Sequence, residues 1–374
     1  MTNRHIVVID PIAFTGGSKV ATNHLLSSLQ QSRPNITVIT KDPTSWNRYD
    51  YRVIKLFEWS LFANIEQGIY YFIRHWMLGL SLIYARLRYG KIDIAIGASG
   101  PGVDLSLYLM QFFLRYQIIQ LIHGPVANSR TIARCLLRAN HVFYLKSSLP
   151  SIQLSLLKLL SPPQIKKHLK SDTFKQLSNS LPDSNWPTQC QYQMAKVLWA
   201  ASLLKWKGLD FFVQSMQAMP EKDRLSTDIC YIRPRTTDQP TSNAPIKLNK
   251  LQWHEQPQQL DAIRANCNIF VSTSTNEPFG LSILEAMAAG HCVVIPSDHS
   301  YWDQVLSHGI NCIKYRANNQ TDLINELSEL KGDVEKIKRI GSNAQQVANN
   351  YRGSKLTASF QRAIINHPRE QAND

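Results

Sequence analysis

The sequence lacks the paired cysteines that bind metals or cross-link small domains. Its six cysteines are scattered, with no Cys-x-x-Cys pair among Cys135, Cys190, Cys230, Cys267, Cys292 and Cys312. Neither a zinc site nor a disulfide framework is indicated, and a reducing compartment fits best. The first residues, MTNRHIVVIDP, hold only a short apolar run before Asp10, too short for a signal peptide. We therefore expect a cytoplasmic protein.

Also missing is an apolar run long enough to cross a bilayer. The most apolar segment, residues 59–89, is interrupted by Glu66, Arg74, His75 and Arg86. A spanning helix needs roughly 18 apolar residues in succession. Two interpretations stay open for this segment. It forms helices packed in a core, or its aromatic and cationic residues lie on a membrane surface.

Acidic residues are scarce in the first half of the chain. Residues 1–190 hold 21 Lys and Arg against 9 Asp and Glu, whereas residues 191–374 hold 20 against 18, within a formal net charge of +14. This asymmetry predicts an anionic partner for the first half. No nucleic-acid-binding module is present, so nucleic acid is not an expected partner. An anionic membrane surface and a phosphate-bearing substrate both fit.

What the sequence does contain is a long alternation of strand and helix patterns. The 374 residues are 44% hydrophobic and 18% charged, enough for two globular domains. Apolar runs such as HIVVID, ITVIT and IDIAIGA alternate with helical segments, and the pattern starts again at AKVLWAAS after a Pro-, Ser- and Asn-rich linker at 180–193. It includes a short strand predicted at 246–253. The prediction is an α/β fold of two doubly wound, Rossmann-like domains, 1–187 and 188–374, with the terminal helices in the second.

The most informative stretch is STSTNEPFGLSILEAMAAGHCVVIPSD, residues 272–298. It lies between the apolar runs 269–271 and 292–295, with helix-forming residues in the middle. This pattern predicts a βαβ unit with two parallel, buried strands. Ile283 belongs to the helical stripe that faces the sheet. Glu285, about 200° farther around the helix, must therefore point away from the core.

The residues at the start of this helix suit a phosphate with sugar hydroxyls around it. Gly280 has no Cβ, so a ligand can approach the backbone closely. The N–H groups of Phe279, Gly280 and Leu281 begin a helix whose dipole favours anions. Glu277 can accept hydrogen bonds from hydroxyls near that anion, and Glu285 from a second pair of hydroxyls. These features describe a nucleotide sugar; the alternative is two surface glutamates on a capped helix.

This stretch resembles the signature of the retaining glycosyltransferases of family four, which have the GT-B fold with an interdomain cleft. The pattern is Glu-Pro-Phe-Gly-Leu and then Glu-Ala-Met-Ala-x-Gly, with seven residues between the glutamates, and residues 277–290 agree with it. The resemblance implies that Glu277 is catalytic and binds hydroxyls of the donor sugar. It further implies that the backbone of Phe279 to Leu281 binds the sugar and phosphates, and that Glu285 binds the ribose.

A second segment, VLWAASLLKWKGLD at 197–210, resembles the strand, loop and Lys-Gly helix start of the same family. The resemblance implies that Lys207 pairs with the donor diphosphate. The family usually has Gly-Arg where this chain has Ala201 and Ser202, so one expected cation is missing and Lys205 is the candidate to compensate. Without the resemblance, Lys207 is a solvated lysine at a helix start.

Two segments of the first half resemble the family more weakly. FTGGSKVATNHLL at 14–26 is similar to the glycine loop after the first strand, which implies that the backbone at Gly16 and Gly17 approaches the donor phosphate or the acceptor. The alternative is a simple tight turn. QLIHGPV at 120–126 ends a strand with His123, and the resemblance implies a catalytic contact with the sugar and the diphosphate. A histidine at a strand end otherwise has a structural role.

No Asp-x-Asp sequence occurs in the chain. The metal-dependent glycosyltransferases of the other main fold need such a pair, so we expect no metal and no other cofactor here. The expected function is transfer of a sugar from a nucleotide sugar to a saccharide acceptor that is lipid-linked, in exopolysaccharide or cell-envelope biosynthesis at the cytoplasmic membrane face. Open alternatives are a nucleotide-sugar epimerase, a phosphorylase, and an inactive nucleotide- or glycan-binding protein of the same fold.

Overall fold

The chain divides into two compact units. The structure is a computed structural model that describes residues 4–13, 16–29, 34–46, 50–58, 68–234, 237, 239–353 and 357–365. The first unit comprises Met1–Ser180 with Ser354–Asp374, and the second Leu181–Gly353. The sequence placed the boundary at residue 187 and all terminal helices in the second domain. In the structure, the last described helix joins the first unit, because Phe360 and Ile364 pack into that unit's core.

The described strands of the first unit form one parallel sheet. They are β1 (His5–Asp10), β2 (Asn35–Thr40), β3 (Arg52–Lys55), β4 (Ile94–Gly97), β5 (Gln117–Ile122), β6 (His141–Leu145) and β7 (Phe174–Leu177). Their order is β3-β2-β1-β4-β5-β6-β7. The helices are α1 (Gly17–Ser27), α2 (Gly68–Tyr89), α3 (Leu105–Leu114), α4 (Arg130–Arg138), α5 (Leu149–Leu156), α6 (Pro162–Leu169) and, from the far end of the chain, α13 (Ala358–Ile365).

Helices cover both faces of this sheet, which explains why its strands are continuously apolar. Successive side chains of a strand point to opposite faces. Ile6 and Val8 of β1 pack in the same cluster as Phe360 of α13. Val7 and Ile9 belong to the cluster that includes α2, α3 and α4. None of the described helices has both the length and the apolarity to span a bilayer.

The second unit repeats the same plan. Its strands are β8 (Lys196–Ser202), β9 (Ser226–Ile232), β10 (Leu251–Glu255), β11 (Ile269–Val271), β12 (Cys292–Ser297) and β13 (Ile313–Arg316), in the parallel order β10-β9-β8-β11-β12-β13. Its helices are α7 (Leu209–Ala218), α8 (Leu260–Ala265), α9 (Leu281–Ala288), α10 (Tyr301–Val305), α11 (Gln320–Lys331) and α12 (Val334–Asn349).

Both sheets have the strand order of a doubly wound fold, so the α/β prediction is confirmed. In each sheet the order reverses at one point, between β1 and β4 in the first unit and between β8 and β11 in the second. Ligands of such sheets bind outside the carboxyl ends of the strands at this point. The predicted βαβ unit is β11, α9 and β12, with parallel strands. The strand predicted over 246–253 is wrong in its first part: Lys250 has φ of 69°, which interrupts extended backbone, and β10 begins after it.

Candidate functional site

The site in the second unit is built around the first turn of α9. Gly280 precedes the helix with φ of 81°, a left-handed conformation that favours glycine. A Cβ there would lie 2.9 Å from Ile283 Cδ1 and 3.1 Å from Glu277 Cγ. The first N–H groups of a helix have no partner within the helix, and α9 has neither a side-chain cap nor an acidic residue in its first turn. This helix end is therefore suited to an anion, and phosphate binding at Gly280 and Leu281 stays a prediction.

Phe279 contributes its backbone to this turn, while its side chain is part of the core. The ring is buried, with its centroid 4.8 Å from that of Tyr301 and 5.3 Å from that of Trp302. Trp302 Nε1 donates a hydrogen bond of 3.2 Å to the carbonyl oxygen of Gly280. The aromatic cluster thus packs against the turn and holds its backbone in position.

Lys207 and Glu277, predicted from separate motifs, are in direct contact. Lys207 Nζ donates to Glu277 Oε2 at 2.5 Å, and the two side chains are only 18% and 13% exposed. The same ammonium group lies 4.0 Å from the ring centroid of Trp206. A cation, a carboxylate and a helix N-terminus therefore meet at the carboxyl end of the second sheet.

A network of hydrogen bonds between two loops sets the position of this pair. Trp199 Nε1 donates to Thr273 Oγ1 at 3.0 Å, and Thr273 Oγ1 donates to the carbonyl oxygen of Gly208 at 2.9 Å. The backbone N–H of Thr275 donates to the carbonyl oxygen of Trp206 at 2.8 Å. Gly208 has φ of 76°, and a Cβ there would overlap the carbonyl oxygen of Thr273. The loop after β8 and the loop after β11 are therefore held against each other by close contact that only glycine permits.

Glu285 has a different partner, which the sequence did not indicate. Arg264 on α8 donates from Nη2 to Glu285 Oε2 at 2.6 Å and from Nη1 to Asp261 Oδ1 at 3.0 Å. Arg264 is buried, whereas Glu285 is partly exposed. His291 lies behind the arginine, with Nε2 2.9 Å from the Arg264 carbonyl oxygen, and burial lowers the pKa of His291 to about 3. The arginine holds one carboxylate oxygen of Glu285 and orients the group.

Lys205 lies on the loop after β8 but does not join the Lys207–Glu277 pair. Its ammonium group is 3.5 Å from Asp210 Oδ2 at the start of α7, and its side chain is exposed. Ser202 is the last residue of β8. The structure therefore places Lys205 as a solvated cation beside α7.

In the first unit, His123 directly follows β5 and contacts α1. Its Nε2 is 3.1 Å from Thr22 Oγ1, and burial lowers the pKa of His123 to about 4, so the ring is neutral near pH 7. Nδ1 has no partner among the described residues. Gly17 begins α1 and Gly16 precedes it with φ of −135°, and this helix also lacks a side-chain cap. The predicted residues of the first unit thus gather at the first turns of α1 and the end of β5.

A buried charge cluster lies in the same unit and was not predicted. Asp10, at the carboxyl end of β1, accepts from Trp46 Nε1 at 2.8 Å and lies 3.3 Å from Lys19 Nζ. Lys19 is also 3.4 Å from Asp42 Oδ2. Burial raises the pKa of Asp10, and Lys19 opposes that rise. Lys19, although it follows the glycine loop, is therefore engaged with carboxylates of its own unit.

No three His, Cys, Asp or Glu side chains within the described ranges are grouped so that they could hold a metal ion. All six cysteines are buried and carry free thiols. Burial raises the pKa of these thiols, for Cys190 to about 11, so they are protonated near neutral pH. The titratable groups available to chemistry at the described sites are the carboxylates, the lysine and the histidine named above.

Comparisons with known proteins agree with this geometry. Residues 192–347 match the protein family described as Glycosyl transferases group 1. A search of curated protein sequences finds no match. Among solved structures, HepE of Anabaena in complex with UDP-glucose is 15% identical over 97% of this chain and 99% of its own, with a TM-score of 0.71.

Two further structures extend the likeness over the whole length. Sucrose-phosphate synthase from Thermosynechococcus elongatus is 13% identical over 97% of this chain and 98% of its own, with a TM-score of 0.68. The lipopolysaccharide outer core galactosyltransferase WaaB is 13% identical over 97% and 99%, with a TM-score of 0.63. At such identities the likeness shows the fold alone. The chain therefore has the GT-B fold, and residues 192–347 of its second unit match the model of the group 1 glycosyl transferases.

Proposed function

We propose that this protein is a retaining glycosyltransferase that moves a sugar from a nucleotide sugar to a saccharide acceptor. The observation that carries the proposal is the contact between Lys207 and Glu277 beside the N-terminus of α9. A cation and a helix end suit a diphosphate, and a carboxylate suits sugar hydroxyls. The match of residues 192–347 to group 1 supports this, as do the HepE structures that hold UDP-glucose and UDP with glucose.

On binding, the donor would separate Lys207 from Glu277 and contact both side chains. A diphosphate that binds at the first turn of α9 takes Lys207 as its counter-ion, which frees Glu277 to accept hydrogen bonds from the sugar. As the bond to the sugar breaks, negative charge grows on the leaving phosphate, and the ammonium group and helix end stabilise it. Arg264 holds Glu285 through Oε2, and in this proposal Oε1 is the atom that accepts from the ribose hydroxyls. No metal ion takes part in this scheme.

For His123 the proposal assigns a catalytic role as a neutral hydrogen-bonding group. Because burial lowers its pKa to about 4, the ring presents one N–H donor and one acceptor rather than a positive charge. A neutral donor of this kind can hydrogen-bond a sugar hydroxyl or the diphosphate. The backbone N–H groups at Gly16 and Gly17, at the uncapped start of α1, offer a second contact for a phosphate or an acceptor hydroxyl.

The acceptor in this proposal is a lipid-linked saccharide of an exopolysaccharide or cell-envelope pathway, met at the cytoplasmic face of a membrane. The excess of cations in residues 1–190 supports a partner that carries diphosphate or lies on an anionic surface. WaaB, which shares the fold, is named for transfer to the lipopolysaccharide outer core.

The experiment is turnover of a panel of nucleotide sugars by the purified protein, with NMR analysis of the anomeric configuration in donor and product. Retention of configuration is expected, and inversion would contradict the proposal. Activity should persist in excess chelator; a complete loss that magnesium reverses would contradict the metal-free scheme. An epimerase would alter the donor sugar without releasing nucleoside diphosphate. A binding protein, which Ser202 in place of the usual arginine would suit, would neither alter nor cleave the donor.

A further inference from the structure

Helix α2 is apolar on both of its faces, although only one is buried. Leu78, Leu82 and Ala85 pack into the core of the first unit. On the opposite side Ile69, Trp76, Leu80 and Leu87 recur at intervals of four and seven residues, which is the spacing of one helix face, and are exposed, Ile69 by 71% and Leu87 by 80%. At 1.5 Å per residue this stripe is about 27 Å long. A helix with an apolar exposed face as well as an apolar buried face is typical of one that meets a second apolar surface or medium.

The exposed stripe continues onto α3. The ring centroid of Trp76 is 5.7 Å from that of Phe113, which is 5.4 Å from that of Phe112. Phe112 is 79% exposed and Phe113 59% exposed. The two helices are close because Gly79 of α2 lies directly against Met110 of α3. We call the surface formed by Ile69, Trp76, Leu80, Leu87, Phe112 and Phe113 the apolar face.

The surroundings of the apolar face are cationic. From residue 68 to residue 171 the sequence contains only two acidic residues, Asp93 and Asp104. Asp104 is buried, and Asp93 accepts a hydrogen bond from the backbone of His5 at 2.9 Å. The exposed cations near the apolar face lie at the end of α2 or just after it, just after α3, or on α4, which packs beside α3. They include Arg88, Lys91, Arg115 and Arg134, which we call the cationic rim.

This combination selects one kind of occupant. Large apolar patches on a protein surface mark interaction sites. Two copies of this chain meeting through their apolar faces would bring their cationic rims together, and like charges repel. An anionic bilayer offers an apolar interior for the rings and negative headgroups for the rim.

We propose that the apolar face and its cationic rim dock onto an anionic phospholipid bilayer, with α2 lying in the plane of the interface. The aromatic and aliphatic side chains enter the boundary between headgroups and acyl chains, while the arginine and lysine heads stay among the headgroups. This surface stands apart from the proposed sugar transfer, because docking requires neither a donor nor an acceptor.

The test is co-sedimentation of the full chain with vesicles of phosphatidylcholine alone or mixed with phosphatidylglycerol, at low and high salt. Binding should need the anionic lipid and weaken with salt. The double variant Phe112→Ser, Phe113→Ser should bind about tenfold more weakly or worse. The control Met194→Ser, Ile310→Ser removes exposed apolar side chains of the second unit and should leave binding unchanged.

The cationic rim has its own matched pair of variants. Lys91→Gln with Arg134→Gln should weaken binding to anionic vesicles about thirtyfold, since each cation near such a surface contributes about fivefold. Lys222→Gln with Lys247→Gln removes the same charge from exposed positions of the second unit and should have little effect. Thermal unfolding of each variant checks that the fold is intact.

Three results would overturn the proposal: no binding to anionic vesicles, equal binding to neutral ones, or equal binding by the double phenylalanine variant. Sedimentation velocity without vesicles adds a fourth. A dimer that the phenylalanine variant abolishes, together with no vesicle binding, would assign the apolar face to a second copy. Release of nucleoside diphosphate in the absence of vesicles should be equal in all these variants. A failure of the docking proposal in the vesicle assay can therefore be distinguished from a failure of the proposed sugar transfer.

Discussion

Replacing Glu277 with glutamine separates the two tasks that we assign to the Lys207–Glu277 pair. In the structure the Glu277 carboxylate forms an ion pair with the Lys207 ammonium group at 2.5 Å, and both groups are largely shielded from water. A nucleoside diphosphate without a sugar needs the lysine but not the carboxylate, which it must displace. Glu277→Gln keeps the shape of the side chain and removes its charge. We therefore expect this variant to bind UDP more tightly than the native protein does.

The magnitude follows from the charges. Two unit charges at 4 Å interact by about 4 kcal/mol at the dielectric constant typical of a protein surface and about 1 kcal/mol in water. A diphosphate that replaces the carboxylate as partner of Lys207 regains most of the interaction energy that is lost when the Lys207–Glu277 pair separates. The net gain in UDP-binding free energy from Glu277→Gln is therefore about 1 kcal/mol, or about fivefold in affinity. Turnover of the sugar donor should fall about 10- to 100-fold, because the sugar hydroxyls lose a charged acceptor.

Calorimetric titration with UDP checks the expected rise in affinity, and turnover measurements check the expected fall in activity. Lys207→Met should weaken UDP binding about 10- to 100-fold, since it removes a charged hydrogen bond to the diphosphate. Lys205→Met is the control, because this exposed lysine pairs with Asp210 instead, and it should change the affinity little. If Glu277→Gln weakens UDP binding as Lys207→Met does, the carboxylate does not compete for the lysine and the reasoning is wrong.

Three further predictions rest on neighbouring residues. Gly208→Ala should lower the free energy of unfolding by about 3 kcal/mol and Gly309→Ala by about 1 kcal/mol, because both have positive φ but only Gly208 is pressed against a neighbouring carbonyl group; equal losses in urea unfolding would contradict this. Glu285→Ala should weaken UDP binding by about 1–3 kcal/mol, and titration with 2′,3′-dideoxy UDP should show no such difference if the ribose is its partner. His291 has a pKa lowered to about 3, so the unfolded chain takes up a proton as pH falls below about 6.5 and the folded chain does not. Because of this group, the free energy of unfolding should drop by about 2 kcal/mol between pH 7 and pH 5. His291→Gln should make the free energy of unfolding depend less on pH over this range. An unchanged pH dependence in the variant would show that the histidine is not buried in its neutral form.

The central strands of both sheets were predictable from sequence, and the edge strands were not. Central strands such as β1 and β12 are covered on both faces and read as continuous apolar runs. The strands that escaped prediction are β3, β7 and β13, and β10 was placed too early. These four are the outer strands of the two described sheets. An edge strand is short and carries charges, as Arg52 and Lys55 do at the two ends of β3, so it leaves no apolar run to recognise.

Among the site residues, those in short local motifs were predictable from sequence, and those defined by contacts between distant parts of the chain were not. Glu277, Gly280 and Lys207 stand in short motifs whose spacing predicts a loop that leads into a helix, and the structure brings them together. Arg264 could not be found, since its contact with Glu285 joins residues that are 21 positions apart in the chain. The engagement of Lys19 with Asp10 is also a tertiary contact. A charged residue in a helix gives no sign in sequence of which opposite charge it will meet in space.

The most direct test of the central claim is the release of nucleoside diphosphate from a panel of nucleotide sugars by the native protein and by Glu277→Gln. We predict that the native protein turns over at least one donor and that the variant, although it binds the free nucleotide at least as well, turns that donor over about 10- to 100-fold more slowly. Turnover at the native rate by Glu277→Gln, or no turnover of any donor by the native protein with saccharide acceptors present, would contradict the account.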